Sequence, residues 1–173
     1  MALADELLFH AEKLIKVSED SLPSQADLRR SVSASYYSVF HLLLSEGADL
    51  LLKNPEIEAV RELAQRSVTH SQMKNVCMYL AKPYQGLPEK LRRFAPEPNP
   101  AEIMLIAKSF GNLQALRLKA DYQIKWEITN NVAQDAVYDA KEVFSNWQLL
   151  KTSRPEAALR FVSILLFFDR YQN

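Results

Sequence analysis

The sequence predicts an all-α protein, an antiparallel up-down bundle of about four long helices with extra short helices. Three observations carry that expectation. The 173 residues include only 3 glycines, where average usage of about 7% would give roughly a dozen. Leu and Ala together number 44, while Val, Ile and Thr together number 20, a balance that favours helices over strands and hairpin turns. Apolar residues recur at helical spacing, and no stretch alternates as a half-buried strand would.

Each element follows from its own signals. Leu3, Leu7, Leu14 and Val17 fall near one stripe, which predicts a first helix over 3–18. SLPSQ (21–25) breaks it, and Ser24 is placed to cap the next helix. Leu28, Val32, Val39, Leu43 and Leu50 keep a helical period over about seven turns, to about Leu52, with Gly47 weakening the end. Asn54-Pro55 is a cap followed by a proline in the first turn, predicting a helix to about Gln65. Thr69 with Gln72 makes a capping box, which ends that helix near Val68 and starts another over 70–81. Five of the 8 prolines lie between residues 83 and 100, predicting one long, exposed and mobile connection. Asn99-Pro100 with Glu102 restarts a helix through about Lys125. Asn130 or Asn131 caps the next, whose stripe is Val132, Ala136, Ala140, Val143, Trp147 and Leu150. Ser153 with Glu156 caps a last helix over 155–169, inside a C-terminal segment 153–170. The whole chain, 1–173, reads as a single domain, long enough to bury a core without staples.

Composition also narrows function. Gly47, Gly86 and Gly111 are too far apart for a dinucleotide fingerprint or a P-loop, so any phosphate must be held by side chains or helix N-termini. Basic and acidic residues balance at 21 each, whereas a freestanding nucleic-acid binder usually carries a basic excess. The single cysteine, Cys77, excludes an internal disulfide and a Cys zinc site; its apolar setting points to an inert thiol. No signal-peptide pattern opens the chain. The apolar run from Phe161 to Phe168 is too short for a bilayer of ~30 Å. A cytoplasmic location without membrane contact is expected. No metal-binding or glycine-loop cofactor motif is present, so no metal and no cofactor are expected.

Charge is locally uneven. Residues 61–93 carry seven basic side chains against Glu62 and Glu89, which makes either a solvated face or the basic wall of a cleft. Between Pro100 and Lys125, Ile106, Phe110, Arg117, Asp121 and Ile124 share a narrow arc at about 100° per residue. Arg117 and Asp121 therefore stand in an apolar face, one turn apart and able to pair. The pair either fixes helix register or lines a cleft where Arg117 forks onto a phosphate, with Tyr122 on the flank. Tyr37 and His41, one turn apart in YYSVFH, need partners for their polar atoms. Arg66, His70 and Lys74 would form a cationic row were it not for the break near Thr69. Asp135, Asp139 and Glu142 make an acidic row on a polar face.

SVSASYYSVFHLLL (31–44), His70-x-x-Met73-Lys74 and FGNLQALRLKADY (110–122) together resemble the HEPN domains, the higher-eukaryote and prokaryote nucleotide-binding helical bundles. The resemblance runs from the first helix to about residue 150. It is strongest to a bacterial branch in which Arg, then Ala-Asp-Tyr, closes a long helix; here these are Arg117, Ala120, Asp121 and Tyr122. The resemblance implies an all-α bundle that forms a homodimer. Many relatives are metal-independent RNases, often toxins paired with a nucleotidyltransferase antitoxin, and others bind nucleotide or RNA without cleaving. Active members carry an Arg followed, after four to six residues, by a His. His41 follows Arg30 by eleven positions, His70 follows Arg66 by four, and His10 has no preceding Arg. Tyr122 stands where that His would be, and a phenol of pKa near 10 is a poor general acid or base. The expectation is a HEPN-like homodimer that binds RNA, nucleotide or a protein partner in a toxin–antitoxin or stress-defence setting. Arg117, Asp121, Tyr122, Tyr37, His70 and Lys74 are its candidate binding residues. The alternatives are a metal-independent endoribonuclease, with Arg117, Tyr122, His41 and His70 as catalytic candidates, and a purely structural interaction module.

Overall fold

The computed structural model describes residues 2–16, 22–54 and 58–167. Among them every regular element is helical. The α-helices are α1 (Leu3–Leu14), α2 (Gln25–Leu51), α3 (Glu58–Arg66), α4 (His70–Leu80), α5 (Glu89–Arg92), α6 (Ala101–Tyr122), α7 (Asn130–Ser153) and α8 (Pro155–Phe167), with one 3₁₀ turn at Tyr84–Gly86. The chain forms two compact units. Unit 1 holds the residues up to His41 together with Ser109–Phe144, and unit 2 holds Leu42–Lys108 and the chain from Ser145 onward. Helices α2, α6 and α7 contribute to both.

Unit 1 buries large side chains such as Tyr36, Phe110 and Leu113, and small residues bring α1 onto them. Ala11, Ala34 and Val137 form a buried cluster with Ile15 packed against it. Ser31 donates its hydroxyl to the Ala11 carbonyl at 2.9 Å, so α1 and α2 approach backbone-close. That approach corrects the expected stripe of α1. Ala4 and Ala11 face the core, Leu3 is 55% exposed, Leu7 and Leu14 are half-buried, and Val17 lies outside the described residues. Ser35 and Ser38 are also buried and return their hydroxyls to carbonyls of their own helix, which satisfies them without a partner. Ser24 caps α2 as expected: its Oγ accepts from the Asp27 N–H at 3.2 Å, while its own N–H donates to the Asp27 carboxylate at 3.0 Å. The Ser24 hydroxyl, which donates to the same carboxylate at 2.6 Å, and then the Ser24 N–H lower the Asp27 pKa, with burial opposing them and Arg30 adding a smaller push. The Gln25 side-chain amide pairs in both directions with the backbone of Ile128, at 2.7 and 2.9 Å. Thr129, not Asn130 or Asn131, caps α7, its hydroxyl accepting from the Val132 N–H at 3.4 Å.

Unit 2 packs aliphatic and aromatic side chains. Trp147 and Phe161 are both buried, with ring centroids 6.2 Å apart. Helix α4 buries Met73, Val76, Cys77 and Leu80 and packs on α8. Gly47 lets α2 meet α8: a Cβ there would stand 3.3 Å from Val162 Cβ and 3.4 Å from Leu166 Cδ1. The Thr69–Gln72 capping box starts α4 as expected. The Asn54-Pro55 cap falls at the edge of residues 55–57, which lie outside the described residues.

Two expectations in unit 2 are corrected. Segment 83–100 is mostly exposed, as expected, but it is not irregular throughout. It contains the 3₁₀ turn and α5, and Leu87, Leu91 and Ala95 are buried anchors. Asn99 closes it by donating to the carbonyls of Leu80 and Lys82 at 2.9 and 2.8 Å, which serve the end of α4. Ser153 does not cap α8. It ends α7 and returns its hydroxyl to the Leu149 carbonyl at 2.7 Å, and Pro155 opens α8 at the position where a missing N–H is no loss. No described helix is long and apolar enough to cross a membrane.

Candidate functional site

Polar residues recur every four positions along α2 in unit 1: Arg29, Ser33, Tyr37 and His41. That spacing puts them on one face. The first three bond to α6 or to the segment that leaves it. Arg29 donates to the carbonyls of Ala120 at 2.6 Å, Ile124 at 3.0 Å, Gln123 at 3.1 Å and Trp126. Ala120 lies in the last turn of α6, whose carbonyls lack helical partners, while the other three follow the helix and Gln123 also accepts from the Trp126 N–H at 3.0 Å; a cation there also meets the negative end of the helix dipole. Helix α6 therefore ends at Tyr122, short of the expected Lys125. Ile124 lies beyond it and is 90% exposed, so it leaves the apolar arc.

Ser33 donates to Asp121 Oδ1 at 2.6 Å. Asp121 Oδ2 lies 2.6 Å from Arg117 Nε, an ion-pair contact that lacks hydrogen-bond alignment. Arg117 Nη2 donates to the Tyr37 hydroxyl at 2.5 Å. Higher α2 numbers meet lower α6 numbers, so the two helices run antiparallel here. The Arg117 guanidinium lies 5.2, 5.8 and 5.9 Å from the ring centroids of Tyr37, Tyr122 and Tyr36, within reach of cation–π attraction. Tyr36 is fully buried and packs its ring on Phe110 at 5.5 Å. Burial works against the charge on Arg117, but the Tyr37 oxygen, the Asp121 carboxylate and Tyr122 more than offset it and raise its pKa.

The pair is reachable. The Arg117 side chain is 14% exposed and that of Asp121 30%, while Tyr122 is 70% exposed. Among the described residues Arg117 Nη1 makes no hydrogen bond. His41 stands one turn beyond Tyr37, ring centroids 6.4 Å apart, and burial lowers its pKa below 6.5, which keeps the imidazole neutral near pH 7.

Of the sequence candidates, Arg117, Asp121, Tyr122, Tyr37 and His41 all belong to unit 1, and the first four meet around one guanidinium. His70 and Lys74 lie on α4 in unit 2. Arg66 lies on α3 beside Glu62 at 3.4 Å, separated from His70 by the break at Ser67–Thr69. The described residues bring no three potential metal ligands together, the row of Asp135, Asp139 and Glu142 included. Cys77 is buried, and burial drives its thiol pKa far up, as a packing residue requires. Arg29 and Ser33 were not singled out in the sequence. Their spacing of eight and four residues before Tyr37, which keeps them on its helix face, is the available signal.

Comparison with protein-family models gave no match, and neither did comparisons with curated proteins and with solved structures.

Proposed function

We propose that this chain is a HEPN-like binding module. It would be an antiparallel up-down bundle, working as a cytoplasmic homodimer, that takes a phosphate of RNA or a nucleotide at the Arg117 seam. A nucleotidyltransferase-type antitoxin is the protein partner this reading implies. One observation carries it. Arg117 is a guanidinium held in place by Tyr37 and Asp121, ringed by three tyrosines, with Nη1 uncommitted among the described residues and the exposed Tyr122 at its rim. A positioned guanidinium forks onto phosphate oxygens, and an exposed tyrosine ring offers a base a stacking surface.

The test is fluorescence anisotropy with a short single-stranded RNA at low and moderate salt. Wild type should bind, more weakly as salt rises. Arg117→Ala should lose at least roughly tenfold, the worth of one charge-assisted contact, while circular dichroism shows a folded protein. No binding by wild type, or full binding by Arg117→Ala, rejects the reading.

A second reading, a metal-independent endoribonuclease, draws support from His41. A neutral imidazole beside Tyr37, the residue that Arg117 bonds, has the protonation state a general base needs. It requires RNA cleavage in the presence of chelator that His41→Ala abolishes, whereas cleavage that survives in His41→Ala rejects it for that residue.

A further inference from the structure

Unit 2 contains a cleft of about 990 Å³ that the Arg117 reading leaves unused. Its volume lies at the upper end of small-molecule sites, roughly 300–1,000 Å³. Four arginines line it: Arg92 and Arg93 from the end of α5, and Arg154 and Arg160 from α8 and the residue before it. Pro96, Pro98, Pro100 and Pro155 contribute to its walls, and proline fixes the backbone torsion φ. The proline-dense segment and part of the basic run thus converge on one feature.

The arginines are not equivalent. Arg160 is tied to Glu156 at 3.0 Å and reaches the Phe94 carbonyl at 3.4 Å. Arg154 pairs with Glu102 at 3.2 Å. Both keep their charge partly neutralised. Arg92 is anchored through Nε alone, which donates to the Leu87 carbonyl at 3.0 Å. Among the described residues its two Nη groups make no hydrogen bond, and neither Arg92 nor Arg93 forms an ion pair. Glu97 shares the lining and Arg93 lies 5.9 Å over the Phe94 ring, yet both Arg92 and Arg93 keep guanidinium donors that an anion in the cleft can engage. Tyr84, whose hydroxyl reaches the Arg92 carbonyl at 3.5 Å, places a ring in the same lining.

We propose that this cleft binds a small molecule carrying two or more linked phosphoryl groups, with Arg92 and Arg93 as the main charge contacts. Linked phosphoryl groups supply several negative charges at short spacing, matching paired forks, and the cleft has room for an attached organic group beside Tyr84. The proposal does not rest on the reading of Arg117.

The experiment is calorimetric titration of the full chain with inorganic triphosphate, and separately with adenosine triphosphate. Wild type should show saturable one-to-one binding. Arg93→Ala, at an exposed site without an ion pair, should weaken it roughly tenfold, the Arg92→Ala/Arg93→Ala double variant should abolish it, and Arg117→Ala should leave it unchanged. Equal affinity for the two probes identifies the phosphate chain as the whole ligand. Tighter adenosine triphosphate binding that Tyr84→Leu removes identifies an organic group as well, and either result supports the site. The proposal is overturned if wild type gives no saturable heat, if Arg93→Ala and the double variant bind as wild type does, if Arg117→Ala removes the binding, or if a hexaglutamate peptide binds as tightly as triphosphate.

Discussion

Arg29 donates to the backbone carbonyl of Ala120 at 2.6 Å, and through that bond α2 terminates α6. The same guanidinium collects the carbonyls of Gln123, Ile124 and Trp126. One side chain thus performs the work usually shared by a C-cap glycine and solvent, in a chain whose three glycines all lie elsewhere. It also holds the turn that follows Asp121 and Tyr122, so it acts on the geometry around Arg117.

Removing Arg29 should therefore cost more than an ordinary surface arginine. Each hydrogen bond to a charged group is worth about 1.5–3 kcal/mol, but four bonds from one group are not additive. Arg29→Ala should destabilise by roughly 2–4 kcal/mol. At about 2–4 °C per kcal/mol for a chain of this size, scanning calorimetry should show a clear fall in Tm. Arg29→Lys should recover less than half, since an ammonium cannot span the same set of carbonyls. A Tm for Arg29→Ala within about one degree of wild type, against that scale, would remove the clamp from the account.

Arg117 and Asp121 can be separated from each other by their opposite roles at a phosphate. In stability, a double-mutant cycle should give a coupling of about 1–2 kcal/mol, within the range for directly contacting residues. In binding, Asp121→Asn removes a negative charge 2.6 Å from Arg117, which now competes with any anion. RNA affinity should rise a few-fold, by roughly the 1 kcal/mol of a partly screened charge, while Tm falls. If the pair serves only to fix helix register, Tm falls and RNA affinity does not change.

Much of this was legible in the sequence, for physical reasons. The Thr69–Gln72 capping box and the Ser24 cap are local signals that act within three residues, and both form. The stripe Val132, Ala136, Ala140, Val143, Trp147 and Leu150 is buried except at its first residue, Val132, which is half-buried, because periodicity reports one helix face directly. The i,i+4 spacing of Arg117 and Asp121 predicted their pairing for the same reason. What failed depended on partners distant in sequence. Leu3 yielded the core to Ala4 and Ala11 because α2 comes close enough for Ser31 to reach the Ala11 carbonyl. Prolines marked residues 83–100 as irregular, but not that Leu87, Leu91 and Asn99 pin them down. Arg29 looked like any surface arginine, since its acceptors lie more than ninety positions away.

His41 makes stability depend on pH in a defined direction. Burial lowers its pKa from the ordinary 6.5, so the unfolded chain takes up a proton more readily than the folded one. Its contribution is fully present above 6.5 and is lost as pH falls through the lowered folded value. Wild type should lose Tm between pH 7.5 and pH 5.5 more steeply than His41→Gln, which cannot titrate. Parallel pH profiles for the two proteins would show that the imidazole is protonated equally in both states.

Gly47 and Gly111 both sit inside long helices, where glycine costs about 1 kcal/mol relative to alanine, yet they should respond oppositely to the same change. At Gly111 an added Cβ meets nothing within 4 Å. Gly111→Ala should stabilise by about 0.5–1 kcal/mol through helix propensity and a less flexible unfolded chain. At Gly47 the new carbon would stand 3.3 Å from Val162 Cβ. That atom is attached directly to the backbone of α8 in a fully buried residue, so no rotamer change moves it away. The contact requires α2 and α8 to shift apart, and overpacking of this kind costs about 1–3 kcal/mol, more than the propensity gain. Gly47→Ala should therefore destabilise on balance, and Val162→Ala, which leaves the β-carbon in place, should not rescue it. Urea denaturation of the two single variants decides the matter. A stabilised Gly47→Ala would mean that α2 and α8 part at little cost, and the close approach would then be a tolerated feature of the packing and not one the glycine maintains.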